Sequence, residues 1–183
     1  DYIKNSKYIN DVFVATDNEE TQKIALSLGA KSPFLRSSNL SEPFIGLEIV
    51  QQYALSEIEK TGVYPDLVVH MEETMMFRDE GVIDQMIIYM LKEGFDSVIA
   101  ARRESGYLWQ ENDKGLFNRI DSGDIPREFK ERSFIGLHGY GCITYPSFLR
   151  NQQLTGGNIG IYEVKSPLAS FEVRDDISAE LGS

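Results

Sequence analysis

The run Val12-Phe13-Val14-Ala15-Thr16-Asp17-Asn18-Glu19-Glu20, followed by Leu28-Gly29-Ala30 and Pro33-Phe34-Leu35-Arg36, constrains the fold more than any other part of the chain. Val12 to Thr16 has the apolar, β-branched character of a fully buried strand. Asp17 stands where a helix N-cap belongs, and Glu20 three residues on completes a capping box. The helix carries Ile24, Ala25 and Leu28 and stops at Gly29, after which the chain returns through Pro33-Phe34-Leu35. Strand, helix and returning segment make one βαβ-type unit. In open α/β sheets ligands bind beyond the carboxyl ends of the strands, so Thr16, Asp17 and Arg36 fall on the rim where a ligand would sit.

The same alternation continues downstream. Strand patterns at 12–16, 67–70, 97–101, 141–145, 159–164 and 169–173 are separated in the first half by helical patterns near 19–28, 46–60 and 80–93. This predicts a parallel-dominated sheet with helices on both faces. The helix at 80–93 is the clearest: Val82, Ile83, Met86, Ile87, Met90 and Leu91 recur at helical spacing and Gly94 follows them, which makes the methionines core filler. From Glu104 to Arg132, glycines, Pro126 and charged residues interrupt every period, over a length too great for an ordinary connection. Tyr107, Trp109, Phe117 and Phe129 within it favour packing against something, because a solvated loop gains nothing from aromatics.

At 183 residues the chain is the size of one domain. Its 29 acidic and 18 basic side chains give a net charge of −11, which argues against nucleic-acid binding through a general basic surface but not against a nucleotide substrate, since a local pair such as Arg102-Arg103 can still hold an anion. A single cysteine, Cys142, excludes an internal disulfide framework; it fits a reducing compartment, hence the cytoplasm, and its apolar strand context makes it a buried, inert thiol. No apolar run reaches membrane-spanning length and no signal peptide is visible, so no membrane partner is expected. No His/Cys cluster has zinc spacing. His70 ends an apolar strand beside Glu72, as a core histidine or a titrating one, and His138 precedes Gly139-Tyr140-Gly141, where glycines permit close backbone approach.

The Ala15-Thr16-Asp17 strand end, the helix, Gly29-Ala30 and Pro33-Phe34-Leu35-Arg36 together resemble the acylneuraminate cytidylyltransferase family, whose members join CMP to sialic acid and related sugar acids. The order continues from about Tyr8 to Leu181. Pro65 to His70 is similar to the second core strand, and Glu72-Glu73-Thr74-Met75-Met76-Phe77-Arg78 falls on the family's Q-P-T-S-P-L-R, with Thr74 and Arg78 matching. Gly94 to Ala100 is similar to the G-x-D-S-V strand, and Gly139-Tyr140-Gly141 and Gly160-Ile161-Tyr162-Glu163 to the distal half. The resemblance implies a single α/β domain: a three-layer Rossmann-like nucleotide-sugar transferase fold with a mostly parallel mixed sheet. It also implies a homodimer whose arm is the 104–132 insertion. Family members open with a strand and a Gly/Ser-containing basic loop ahead of the position of Val12. Here Asp1 to Asn10 reads as the end of a helix, so the expectation is that an N-terminal segment belongs to a longer product; a shortened relative is the competing reading.

By resemblance, the activity is transfer of CMP from CTP to a sugar acid with Mg²⁺ as cofactor; a non-catalytic dimeric binding module is the alternative. The implied nucleotide contacts are Asp17 and Arg36, although Ser41 to Gly46 replace the family's small base-pocket residues. The implied sugar contacts are Glu72, Thr74, Arg78, Arg102 and Tyr140; for Arg78 a structural role, capping the loop or pairing with Asp79 or Glu80, is the competing reading. Glu72 replaces a glutamine, which exchanges two donors for a negative charge beside an acidic substrate and should repel it unless an arginine intervenes. The metal-binding I-D-I-D corresponds to Phe171-Glu172-Val173-Arg174-Asp175-Asp176. Glu172 falls on the first acid and Arg174 on the second, with Asp175 or Asp176 left either to supply the missing ligand or to cap a following helix.

Overall fold

The computed structural model describes residues 3, 5–121 and 123–182. In chain order the elements are α1 (Glu19–Ser27), α2 (Leu47–Lys60), β1 (Val68–His70), α3 (Val82–Glu93), β2 (Ser97–Glu104), β3 (Trp109–Glu111), β4 (Phe117–Arg119), β5 (Ser133–Gly136), β6 (Cys142–Thr144), α4 (Pro146–Arg150), β7 (Ile159–Glu163) and α5 (Asp176–Gly182). The predicted helices therefore form within two residues of their expected ends. Asp1, Tyr2 and Lys4, part of the stretch read as a helix end, lie outside the described residues, and from Asn5 to Asn10 the chain is not helical.

The main sheet runs β1-β6-β2-β5, with β7 against the other edge of β2. Only the β2/β7 pairing is parallel; β1/β6, β6/β2 and β2/β5 are antiparallel, which corrects the parallel-dominated expectation. The registers explain why. Since β6 opposes both β1 and β2, those two strands run the same way, as does β7, and α3 makes the crossover from β1 to β2 that the alternation implied. What the alternation could not reveal is that β5 and β6, which follow the 104–132 excursion without a helix before them, return in the opposite sense on either side of Leu137–Gly141. Helix-free returns of this kind are naturally antiparallel.

Val12 to Thr16 lies outside that sheet. It runs parallel to the 31–36 segment across α1, held by Lys31 N–H to Val12 O (2.8 Å), Val14 N–H to Lys31 O (2.9 Å) and Arg36 N–H to Thr16 O (2.8 Å). Val12 to Ala15 are half-buried, not fully buried as their composition suggested; with 31–36 as the one hydrogen-bonded neighbour among the described residues, these side chains keep an open flank. The strand expected at 169–173 is a 3₁₀ turn, Pro167–Ser170, whose opening proline cannot donate to a ladder. The chain then extends and Val173 N–H reaches Thr74 O at 2.8 Å.

The core lies between α3 and the sheet, where Met86, Met90, Ile87, Val98, Ala100 and Ile143 pack with Leu137, Tyr140 and Val164. Met86 and Met90 are fully excluded from solvent, as expected of gap-filling thioethers. Gly94 ends α3 with φ 72°, a left-handed conformation that a side chain would strain. Among the described residues no helix is long and apolar enough to cross a membrane.

Candidate active site

Three loops carry the residues singled out above. The first is the rim between Thr16 and Ser41. Asn18, one residue beyond the expected cap, accepts from Glu20 N–H (2.8 Å) and Thr21 N–H (3.0 Å), and so starts α1. Asp17 is thereby released from capping. Its carboxylate accepts the Ser41 hydroxyl at 2.5 Å and lies 3.9 Å from the Arg36 guanidinium. The Ser41 hydrogen bond foremost, with help from Arg36, holds the Asp17 carboxyl below the usual carboxylate range. Arg36 is held by its backbone to Thr16, yet its buried Nε has no hydrogen-bond partner. A buried donor left open at a strand end is a position at which an acceptor on a ligand would gain a charge-assisted hydrogen bond.

The second loop follows β1. Because β-strand side chains alternate, His70 and Glu72 emerge on the same side, and His70 Nε2 lies 3.5 Å from Glu72 Oε1. Burial lowers the His70 pKa from its ordinary value; Glu72 opposes that shift, whereas His138 and Arg78 reinforce it. His70 is therefore a neutral imidazole at neutral pH. Glu72 N–H donates to Gly139 O at 2.8 Å. The two chains are so close that a Cβ on Gly139 would sit 2.9 Å from the Glu72 carboxyl carbon, which is the close approach its glycine predicted. Thr74 offers its carbonyl to Val173, while its own hydroxyl oxygen is buried without a partner.

Two expected substrate contacts are instead parts of the frame. Arg78 is buried and donates through Nε to Tyr140 O (2.8 Å) and through Nη2 to Glu72 O (2.7 Å) and Gly139 O (2.6 Å). Its guanidinium thus fastens the Glu72 and Gly139 loops together. Tyr140 is completely buried, its ring 5.7 Å from the Arg78 guanidinium carbon and its hydroxyl accepting from Asp79 N–H at 3.0 Å, so it presents nothing to a ligand. Arg102 also has a partner of its own. It lies on the half of β2 that pairs with β5 and is joined to Glu104 at 3.2 Å.

The third loop is 171–176. Glu172 and Arg174 form a close ion pair, and Glu72 adds to the field that keeps Arg174 charged. Asp175 is a helix cap: its Oδ1 accepts from Ser178 N–H and from the Ser178 hydroxyl, both at 2.7 Å. Asp176 is exposed in the first turn of α5. Of the two roles left open for Asp175, capping is the one its contacts fill. Glu172 is taken up by Arg174 and Asp175 by Ser178, so as they stand these two carboxylates do not fit the Mg²⁺ that the resemblance implies. The sequence set His70 beside Glu72, and the structure adds their 3.5 Å pairing. The approach of Arg174 to Glu72 was not foreseen from sequence.

Fold and site together define an α/β protein whose charged loops gather at the strand ends of a mixed sheet. No family model matches the chain. In fold it is similar to a CMP:2-keto-3-deoxy-manno-octonic acid synthetase solved in complex with CTP (TM-score 0.67, 14% identity, 99% of this chain and 82% of that one). It is also similar to 4-diphosphocytidyl-2C-methyl-D-erythritol synthase from Anaerococcus prevotii (TM-score 0.68, 12% identity, 100% and 83%). In sequence it is similar to acylneuraminate and pseudaminic acid cytidylyltransferases. It is 27% identical to N-acylneuraminate cytidylyltransferase A of Danio rerio over 181 residues, which is 94% of this chain and 40% of the fish protein. To pseudaminic acid cytidylyltransferase of Campylobacter jejuni subsp. jejuni it is 30% identical over 81 residues, 44% of this chain and 35% of the relative. The chain thus spans less than half the length of these relatives.

Proposed function

We propose that the chain is the nucleotidyl-transferring part of a cytidylyltransferase that moves CMP from CTP to a sugar acid of the sialic type, releasing pyrophosphate. The observation that carries this reading is the match to an N-acylneuraminate cytidylyltransferase along nearly the whole chain. In the reaction a sugar hydroxyl oxygen attacks the α-phosphorus of CTP. A new P–O bond forms, the bond to pyrophosphate breaks, and the hydroxyl proton leaves to a base. Arg36, with its open Nε, is suited to an acceptor on the cytosine base or a phosphate, and Asp17 holds its charge beside it. Glu72 and Thr74 line the sugar side, where the Thr74 hydroxyl lacks an internal partner. The buried Cys142 thiol, pushed up to about 11 by burial, suits a reducing compartment such as the cytoplasm and has no part in the chemistry.

Assembly belongs to the same reading. The 104–132 segment carries the β3/β4 hairpin, and its Trp109, Phe117 and Phe129 are 59%, 64% and 71% exposed. A second copy of the chain covering them makes the arm a dimer contact. Pyrophosphate release from the full-length protein, measured with CTP, UTP, ATP and GTP against a panel of sugar acids, tests the activity. Release with CTP and one sugar acid is expected. Silence with every pair leaves a non-catalytic binding module.

A further inference from the structure

Of the cations that the sequence placed at the site, Arg78 is committed to backbone carbonyls and Arg102 to Glu104, while Arg36 stands on the rim beside Asp17. Arg174 differs. Its side chain is 66% exposed, its contact with Glu172 uses Nε, and its backbone is pinned on both flanks, by Val173 N–H to Thr74 O and by Arg174 N–H to the Ser178 hydroxyl at 2.9 Å. These bonds keep the guanidinium beside the Glu72 loop while its outer edge remains open. In a chain of net charge −11, an anionic ligand approaching Glu72 and Glu172 meets repulsion unless a cation stands between them.

Resting on the cytidylyltransferase reading, we infer that Arg174 is a built-in cation that occupies Glu172 in place of a divalent metal and receives an oxyanion of the substrate directly, a sugar carboxylate or a nucleotide phosphate. A guanidinium is matched to either group, because its planar fork donates two parallel hydrogen bonds to paired oxygens. Glu172 then acts as the positioning residue that aims the fork, and Arg174 offsets the negative charge that Glu72 brings to the sugar side.

The test is binding, measured by calorimetry on the full-length protein with inorganic pyrophosphate and with N-acetylneuraminate as separate probes, each with Mg²⁺ and with EDTA. At least one probe should bind in EDTA, and Arg174→Gln should weaken that binding about tenfold or more while Arg174→Lys restores part of it. A second measurement reads the metal directly. Mn²⁺ binding followed by paramagnetic resonance should be absent from the wild type and appear in Arg174→Asp, which uncovers Glu172 and places a second carboxylate beside it. Loss by Arg174→Gln of pyrophosphate binding but not sugar binding assigns the phosphate as the ligand; the reverse assigns the carboxylate. The inference is overturned if both probes require Mg²⁺, or if Arg174→Gln binds both as tightly as the wild type. Metal-free binding through Arg174 without pyrophosphate release from any nucleotide would overturn the transferase reading and leave the cation site standing.

Discussion

Two charged side chains each gather a loop system around themselves, Arg78 in the body of the molecule and Asp121 in the arm. Arg78 donates to carbonyls at Glu72, Gly139 and Tyr140, so it joins segments some sixty residues apart, with |i−j| of 61 and 62 for its two farthest partners. Asp121 accepts from Leu108 N–H (2.8 Å), Gly123 N–H (2.9 Å) and Arg119 Nε (2.9 Å), with the Lys130 ammonium 3.6 Å away, all within the arm. Arg119, foremost, holds the Asp121 carboxyl well below the ordinary range, and the cations of Arg119 and Lys130 flank the Tyr107 ring at 4.4 and 4.3 Å. The difference is one of what each hub depends on. The Arg78 hub exists only when the whole body is folded. The Asp121 hub closes locally and organises the hairpin without burying its aromatics, which is why the arm is ordered yet still presents apolar surface.

The largest effect should come from breaking the long-range hub. Arg78→Met leaves three carbonyls to find water or go unpaired, and is expected to cost about 3 kcal/mol or more in urea unfolding. A shift under about 0.5 kcal/mol would show that the two loops hold together without it. Gly139→Ala comes next: its Cβ would press on the Glu72 Cβ at 3.0 Å and on the carboxyl carbon at 2.9 Å, for an expected loss of about 1–2 kcal/mol. The same change should disturb sugar affinity more than nucleotide affinity, since Glu72 is what it displaces.

A smaller, pH-dependent effect follows from His70. Burial lowers its pKa in the folded chain, so the unfolded chain takes up the proton first as pH falls. The stability owed to a neutral His70 is therefore complete above its unfolded pKa of roughly 6.5 and is lost as the pH drops below it. Unfolding midpoints at about pH 7.5 and 5.5 should diverge in the wild type and less so in His70→Gln. Equal slopes would remove His70 from the body's acid response. Asp121→Ala should barely move the global transition, because its partners lie within the arm; limited proteolysis between residues 104 and 132 should nonetheless accelerate sharply. If Asp121→Ala unfolds the body too, the arm is not the local unit described.

The parts of the site that sequence exposed were those set by chain direction. Asp17 and Arg36 meet because a βαβ unit brings both strand ends to one rim, a consequence of topology that the pattern over 12–36 carries in itself. The capping residue was displaced by one position because Asp17 and Asn18 are both competent caps, and backbone geometry chose Asn18. The resemblance set Tyr140 and Arg78 beside the substrate, and their burial depends on contacts between distant segments that a motif does not show.

The amino-acid sequence alone determined helices α1, α2 and α3, the apolar face of α3 and the strand positions of β1, β2, β6 and β7, since periodicity, glycine and proline act over a few residues. The tertiary structure decided strand direction in the C-terminal half, the burial of Tyr140, and which charges neutralise one another: Arg174 with Glu172, Asp175 with Ser178 and Arg78 with the Gly139 loop. Strand direction and burial follow from contacts between distant segments. The Glu172–Arg174 pair, though adjacent in sequence, acquires its place beside Glu72 only through the hydrogen bond of Val173 to Thr74, some hundred residues away along the chain, and no local pattern encodes a partner at that distance.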